Sequence, residues 1–261
     1  MPWTLSHPAA LLPLRRWTPP LDFPALVIGS MTPDMGYYIE RFDLSDFAHT
    51  LPGSFLACVP TGLVLLLIFY PFCRPVCYAL PSPHRQALLP LCPDWPAGMR
   101  SWGIILLSLL LGAWTHNFWD AFTHEHGWFV DRIPWLQQPV IQIRSTTVHM
   151  FLVLQELSTV VGFAILVIAY WRWLRPGRAR FVADSASDRW RYLFWGSILF
   201  LSFGLALPAA VHFATVAALR DVPFVRSIIF RTAIYSSAIA LPLTLLGTSV
   251  VYARRERPTA G

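Results

Sequence analysis

Five stretches of this chain are long and apolar enough to cross the hydrocarbon core of a bilayer: Pro52 to Tyr70, Trp102 to Trp119, Val148 to Trp171, Leu193 to Leu219 and Ile228 to Ala253. Such a crossing takes about 20 residues of helix. Backbone amides in lipid find no water, so segments of this kind must satisfy their own hydrogen bonds as helices. The expected fold is an all-α polytopic membrane bundle of about five spans, in one integral membrane domain over residues 1–261. With 261 residues, 55% hydrophobic and only 13% charged, the chain carries more apolar surface than a single soluble domain of this size can bury.

Positive charge is spread unevenly among the connections. All 20 basic residues are Arg. Arg74, Arg85 and Arg100 fall between the first two stretches, and Arg172, Arg175, Arg178, Arg180, Arg189 and Arg191 between the third and fourth. Arg254, Arg255 and Arg257 follow the last one. The opposite side holds Arg15, Arg16, Arg41, Arg132, Arg144, Arg220 and Arg226. Basic residues collect on the cytoplasmic side of membrane proteins, so residues 254–261 are expected to be a cytoplasmic tail and the N-terminus to lie outside. This bias accounts for the net charge of +6 without a nucleic-acid partner.

Residues 1–51 have no basic start, no uninterrupted apolar core and no small-residue cleavage site, so they do not read as a secretory signal. Pro2, Pro8, Pro13, Pro19, Pro20, Pro24 and Pro33 keep helices short here, which suggests broken helices packed on the outer face of a bundle formed by residues 52–253. The four cysteines stand at positions 58, 73, 77 and 92. Cys73 and Cys77 share helical spacing, but Pro71 and Pro75 are expected to interrupt that helix, and the ligand spacings of a structural zinc site are absent. There is no internal repeat, glycine-rich phosphate loop or Gly-x-Ser-x-Gly elbow.

The second apolar stretch runs into Thr115-His116-Asn117-Phe118-Trp119-Asp120-Ala121-Phe122-Thr123-His124-Glu125-His126. On a helix, His116, Asp120 and His124 stack along one face at i, i+4 and i+8. Interfacial belts account for Trp114, Phe118, Trp119 and Trp128. They do not account for a carboxylate between two imidazoles, a set that can hold a divalent metal such as zinc and is costly at a membrane boundary when left empty.

Sorting the other polar residues by side places His7, Asp34 and His49 with this triple at the outer face. Each also has a plain reading: His7 as a surface residue beside a helix capped by Ser6, Asp34 as a turn residue after Pro33, His49 as an interfacial imidazole. Together they double the ligand set, as a centre of more than one ion would need. Glu156, one of four Glu in the chain, is expected inside the third span, where burial of an unpaired carboxylate costs about 2.5–3.5 kcal/mol and so calls for a partner. His149 is placed in the first turns of the same span. His212 and Arg231 lie near the outer ends of the last two spans, Arg231 as a candidate anion clamp. His126 and His84 are left without a role.

The segments Met1-Pro2-Trp3-Thr4-Leu5-Ser6-His7-Pro8, Pro24 through Asp34, His49-Thr50, Thr115 through Trp128, and Leu154-Gln155-Glu156-Leu157-Ser158 resemble the bacterial family known as domain of unknown function 4184, over nearly the whole chain. More distantly, the order His, Pro-Asp, His, then His-x-x-x-Asp-x-x-x-His is similar to the membrane-bound metal-dependent hydrolases. These in turn resemble the helical zinc-dependent phospholipases C and P1-type nucleases. The resemblance implies His7, Asp34, His49, His116, Asp120 and His124 as ligands of one to three divalent ions, zinc first among them. Asp34 or Asp120 would bridge ions, and Glu125 or Glu156 would serve as a base or a supporting group. The implied activity is hydrolysis of a phosphoester or phospholipid-like substrate at the outer face of the bacterial inner membrane, with membrane lipids and a lipid-linked phosphoester as partners. The alternative is a non-catalytic metal- or lipid-binding membrane protein, a transport or envelope-complex component. Transport predicts polar residues along a midplane path, and the first, fourth and fifth stretches have almost none.

Overall fold

The computed structural model describes residues 4–14, 21–143, 146–175, 188–218 and 224–255. Arg15, Arg16, Arg144, Arg178, Arg180, Arg220 and Arg257, used in the charge argument, lie outside these residues. Five helices are long and apolar enough to cross a membrane: Leu51–Ala79, Gly98–Asp120, Met150–Leu174, Arg189–Val216 and Ser227–Arg254. The all-α architecture read from the apolar stretches is the one observed, and it is compatible with a multi-pass membrane protein. The chain divides into two compact units, one drawn from Met1–Leu67 and Pro96–Trp173, the other from Ile68–Trp95 and Leu174–Gly261.

In the first unit the N-terminal segment is built of short elements. A 3-10 turn covers Thr4–Leu11. Helix α1 (Phe23–Gly29) begins where the Asp22 carboxylate accepts from the Ala25 amide at 2.8 Å, with Pro24 in the first turn where its missing N–H costs nothing. The 3-10 turn Thr32–Asp34, α2 (Met35–Tyr38) and α3 (Phe42–Ala48) follow, and α4 (Leu51–Ala79) opens from a Thr50 cap, passing through a π-helical turn at Ser54–Cys58. After the short α5 (His84–Leu88), α6 (Gly98–Asp120) forms the second span.

Helices α1 and α6 touch backbone to backbone through two glycines. A Cβ on Gly29 would stand 2.2 Å from the Leu109 carbonyl oxygen, and one on Gly112 would stand 2.3 Å from that of Leu26. The Asp22 amide adds a bond to Ser108 Oγ at 2.9 Å. This close approach brings the loop after α1 beside the last turns of α6.

Beyond α6 the chain turns under a cluster of Phe118, Phe122 and Phe129, in which Phe122 and Phe129 stack at 3.8 Å. It then forms an antiparallel hairpin, β1 (Pro139–Ile143) with β2 (Thr146–His149). The third span, α7 (Met150–Leu174), therefore starts after the hairpin. The sequence reading that began it at Val148 is corrected: the β-branched pairs of Val140-Ile141 and Thr146-Thr147-Val148 suit a pleated ladder. His149 ends a strand, with Nδ1 2.6 Å from the Gln137 carbonyl oxygen.

A second correction concerns α4, which continues through Pro71 and Pro75 to Ala79. Proline is more frequent in membrane-spanning helices than in soluble ones. In the second unit, the last carbonyls of α4 are taken up by side chains of α8 (Arg189–Ala218): Arg191 Nε donates to Tyr78 at 3.3 Å and Trp195 Nε1 to Ala79 at 2.9 Å. Helix ends need such partners when buried. Helix α9 (Phe224–Arg255) runs back along α8, so that Gly247 meets Phe194 and the Arg231 guanidinium sits 3.7 Å over the Phe213 ring.

Candidate metal centre

The centre is assembled from four places in the first unit, which together carry five residues. The turn Thr4–Leu11 carries His7, the turn after α1 carries Asp34, the end of α3 carries His49, and the last turns of α6 carry His116 and Asp120. Asp34, His116 and His7 are 1%, 0% and 6% exposed, and Asp120 is 4% exposed. Such burial of polar groups is costly unless each finds a partner.

Part of each residue is partnered, in a way that aims the rest inward. His116 Nδ1 lies 2.8 Å from the Ser30 carbonyl oxygen and His49 Nδ1 lies 2.7 Å from that of Ser45. A carbonyl only accepts, so both Nδ1 atoms carry the proton and the lone pair is left on Nε2, the form that binds metal. Asp34 Oδ2 accepts the Thr4 hydroxyl at 2.8 Å, leaving Oδ1 to the centre. The Ser45 hydroxyl in turn donates to the Pro33 carbonyl at 2.8 Å, tying α3 to the Asp34 turn.

The inward atoms are the unsatisfied ones. His7 Nε2, Asp34 Oδ1, His49 Nε2, His116 Nε2 and both oxygens of Asp120 are buried without a hydrogen-bond partner. They face one another: His116 Nε2 is 3.5 Å from Asp34 Oδ1 and 3.2 Å from Asp120 Oδ2, and His49 Nε2 is 3.8 Å and 3.3 Å from the same two oxygens. His7 Nε2 is 3.7 Å from Asp120 Oδ1, its ring stacked on His116 at 3.6 Å. Charge-assisted hydrogen bonds run at about 2.7–2.9 Å. Two ligands of one tetrahedral zinc ion, each about 2.1 Å from it, stand about 3.4 Å apart. The observed separations match the second case.

Asp34, His49, His116 and Asp120 present four ligand atoms all within 4.8 Å of one another. These residues fit a divalent ion in donor type, in separation and in having lone pairs that nothing else takes. Burial pushes His7 down to about 3, so its ring is neutral at ordinary pH.

His124 comes to the border of this centre. Helix α6 stops at Asp120, one turn earlier than the expected continuous face, and His124 returns on a further turn through its amide bond to the Asp120 carbonyl at 3.0 Å. Its Nδ1 is 3.3 Å from that same carbonyl oxygen and 3.5 Å from Asp120 Oδ2, and Gln155 Nε2 lies 3.4 Å from its Nε2. Both ring nitrogens are thus engaged, which distinguishes His124 from the other imidazoles of the set. Burial lowers its pKa. The His49 and His124 side chains, 22% and 28% exposed, mark the open side of the centre.

Glu156 and Glu125 are both exposed. Successive helical residues point about 100° apart, and in α7 it is Gln155, 2% exposed, that faces His124. Glu125 lies in the turns beyond the end of α6, off the helix face that carries the ligands. Neither supplies a group to the centre in this arrangement. His126 is exposed in the same turns, His212 is exposed on α8, and Arg231 belongs to the second unit, where its Nη1 donates to the Tyr235 hydroxyl at 3.3 Å. Sequence reasoning missed Thr4, Gln155 and the carbonyls of Ser30 and Ser45. Of these, Ser45 had a signal, since a residue four before His49 on a helix offers its carbonyl to that ring. Thr4→Val, which deletes the donor to Asp34, is expected to weaken metal affinity by about 10–100-fold, measured by competition with a metal-sensitive dye.

The five apolar helices are compatible with a multi-pass membrane protein, and the buried imidazole–carboxylate cluster gives it a candidate metal centre. The chain belongs to the family described as Domain of unknown function (DUF4184), whose model matches residues 1–251. No curated protein and no solved structure matches it.

Proposed function

We propose that this protein is a metal-dependent hydrolase of the bacterial inner membrane, acting on a phosphoester or phospholipid-like substrate at the outer face. The observation that carries this reading is Asp120, a buried carboxylate with both oxygens unpartnered and imidazoles on both sides. A divalent ion held there, zinc first, would bring the pKa of a water near 7 and stabilise charge on phosphoryl oxygens.

The chain's own residues have distinct parts. His49, His116, Asp34 and Asp120 supply the ligand atoms, and the carbonyls of Ser30 and Ser45 hold the two rings in the ligating tautomer. Asp120, with Oδ1 toward His7 and Oδ2 toward His49 and His116, is the better candidate for a bridge between two ions than Asp34, whose Oδ2 is taken by Thr4. A substrate would enter past His49 and His124, the two partly exposed rings. The centre lies where α4 begins and α6 ends, the level of a membrane boundary, which favours a substrate with lipid character. The choice of phosphoester rests on the resemblance in ligand order drawn from the sequence, to the membrane-bound metal-dependent hydrolases and through them to the zinc-dependent phospholipases C.

A second reading has its own support. Four protein ligands complete a tetrahedral ion, the pattern of structural rather than catalytic zinc, and this favours a non-catalytic metal-binding membrane protein. Hydrolysis of an activated phosphodiester by purified protein separates the two. The expected result is activity lost on chelation, restored by zinc or manganese, and unchanged in Cys73→Ser. Stoichiometric metal binding without hydrolysis across a broad phosphoester panel would favour the second reading instead.

The orientation has its own test. A reporter fused after Gly261 is expected in the cytoplasm and one inserted near Gln138 in the periplasm. Finding both on one side of the membrane would remove the outer-face location.

A further inference from the structure

Three cysteines that the proposed hydrolase chemistry does not use come together in the second unit. Cys73 and Cys77 lie one turn apart on α4, and Cys92 follows the turn Leu89–Leu91. Cys73 Sγ and Cys92 Sγ are 3.0 Å apart, and the three sulfur atoms lie within 4.8 Å of one another. All are free thiols.

This meeting is built by a register between two segments. Tyr70, Cys73, Arg74 and Cys77 form one stripe of α4 at helical spacing, and residues 92–95 lie along it. Trp95 packs against Tyr70 with ring centroids 5.3 Å apart, Asp94 pairs with Arg74 at 2.8 Å, and Cys92 meets Cys73. The continuity of α4 through Pro71 and Pro75 is what puts Cys73 and Cys77 on the same face. Cys92 is buried, and the other two are half-buried.

We propose that Cys73, Cys77 and Cys92 form a thiolate site for a soft cation, Zn(II) or Cu(I), sharing no ligand with the His/Asp centre. Sulfurs bound to one such ion at about 2.3 Å stand about 3.8–4.0 Å apart in tetrahedral or trigonal geometry, so the observed cluster needs only small side-chain adjustments to close on it. Among the described residues no imidazole or carboxylate joins the cluster. An all-sulfur set selects thiophilic ions over the oxygen-preferring magnesium, calcium or manganese. Bound there, the ion would clamp the 92–95 segment to α4.

The test uses the purified full-length chain with Co(II) as probe, because thiolate-to-cobalt charge-transfer absorption arises from sulfur ligands and not from imidazole or carboxylate. Wild type and His116→Ala are expected to show the band, and Cys77→Ser and Cys92→Ser to lose it, while Cys58→Ser keeps it. Displacement of cobalt by Zn(II), or by Cu(I) under reducing conditions, identifies which ion the site prefers. A measurement on wild type alone guards against variants that fail to fold: bound metal should slow alkylation of Cys73, Cys77 and Cys92, and chelation should restore it. Absence of the band in folded wild type, its survival in Cys92→Ser, or a Cys73–Cys92 disulfide in protein prepared with metal present would overturn the proposal.

Discussion

His116→Ala is expected to lose the ion of the His/Asp centre, with at least about a 100-fold fall in affinity, the upper end of what removing even an outer partner costs. Its ring is fully buried, contributes Nε2 to both carboxylates and stacks on His7. Without it, Asp34 Oδ1 and Asp120 Oδ2 face each other across a gap with one neutral ligand fewer, and each unpaired buried group costs about 1–3 kcal/mol. Because the ligands act as a unit, hydrolysis should fall to background in this variant. Combining it with Asp34→Ala and Asp120→Ala should cost little more. Metal content by elemental analysis and phosphodiesterase assay check the two halves separately.

Gly112→Val is expected to empty the same centre although it touches no ligand. Its Cβ would stand 2.3 Å from the Leu26 carbonyl oxygen and 2.7 Å from the Ser30 amide nitrogen, both backbone atoms that no rotamer change can move aside. Helix α1 must then leave α6, carrying the Ser30 carbonyl away from His116 Nδ1 and shifting the Asp34 turn. Overpacking of this kind costs about 1–3 kcal/mol or more, so the melting temperature should fall together with metal content. Gly103→Ala, on the same helix with nothing within 4 Å of its new Cβ, should change neither.

The features legible in the sequence are those set by a single physical demand. Apolar length alone placed the five spans, and the cost of ionisable groups at a membrane boundary pointed to His7, Asp34, His49, His116 and Asp120, which the fold brings within a few ångströms of one another. What escaped depended on where helices stop and start. The i, i+4, i+8 pattern presumed that α6 continues to His124, but the helix ends at Asp120, so His124 arrives at a different angle with both nitrogens engaged. Gln155 and Glu156 differ by one helical step, and the rotational phase of α7 was not readable without knowing that a hairpin precedes it. Pro71 and Pro75 read as breakers because the rule that proline ends a helix was applied to a span that in fact continues through both, and with that reading the Cys73–Cys77–Cys92 cluster was hidden.

The central claim is that the unpartnered atoms of His49, His116, Asp34 and Asp120 hold a divalent ion. X-ray absorption on detergent-purified, zinc-loaded protein carrying Cys77→Ser and Cys92→Ser addresses it with the thiolate cluster removed. The expected result is a nitrogen and oxygen shell at about 2.0–2.2 Å with the outer-shell scattering of imidazole. Protein that retains no zinc, or zinc whose scattering shows no imidazole, would contradict it.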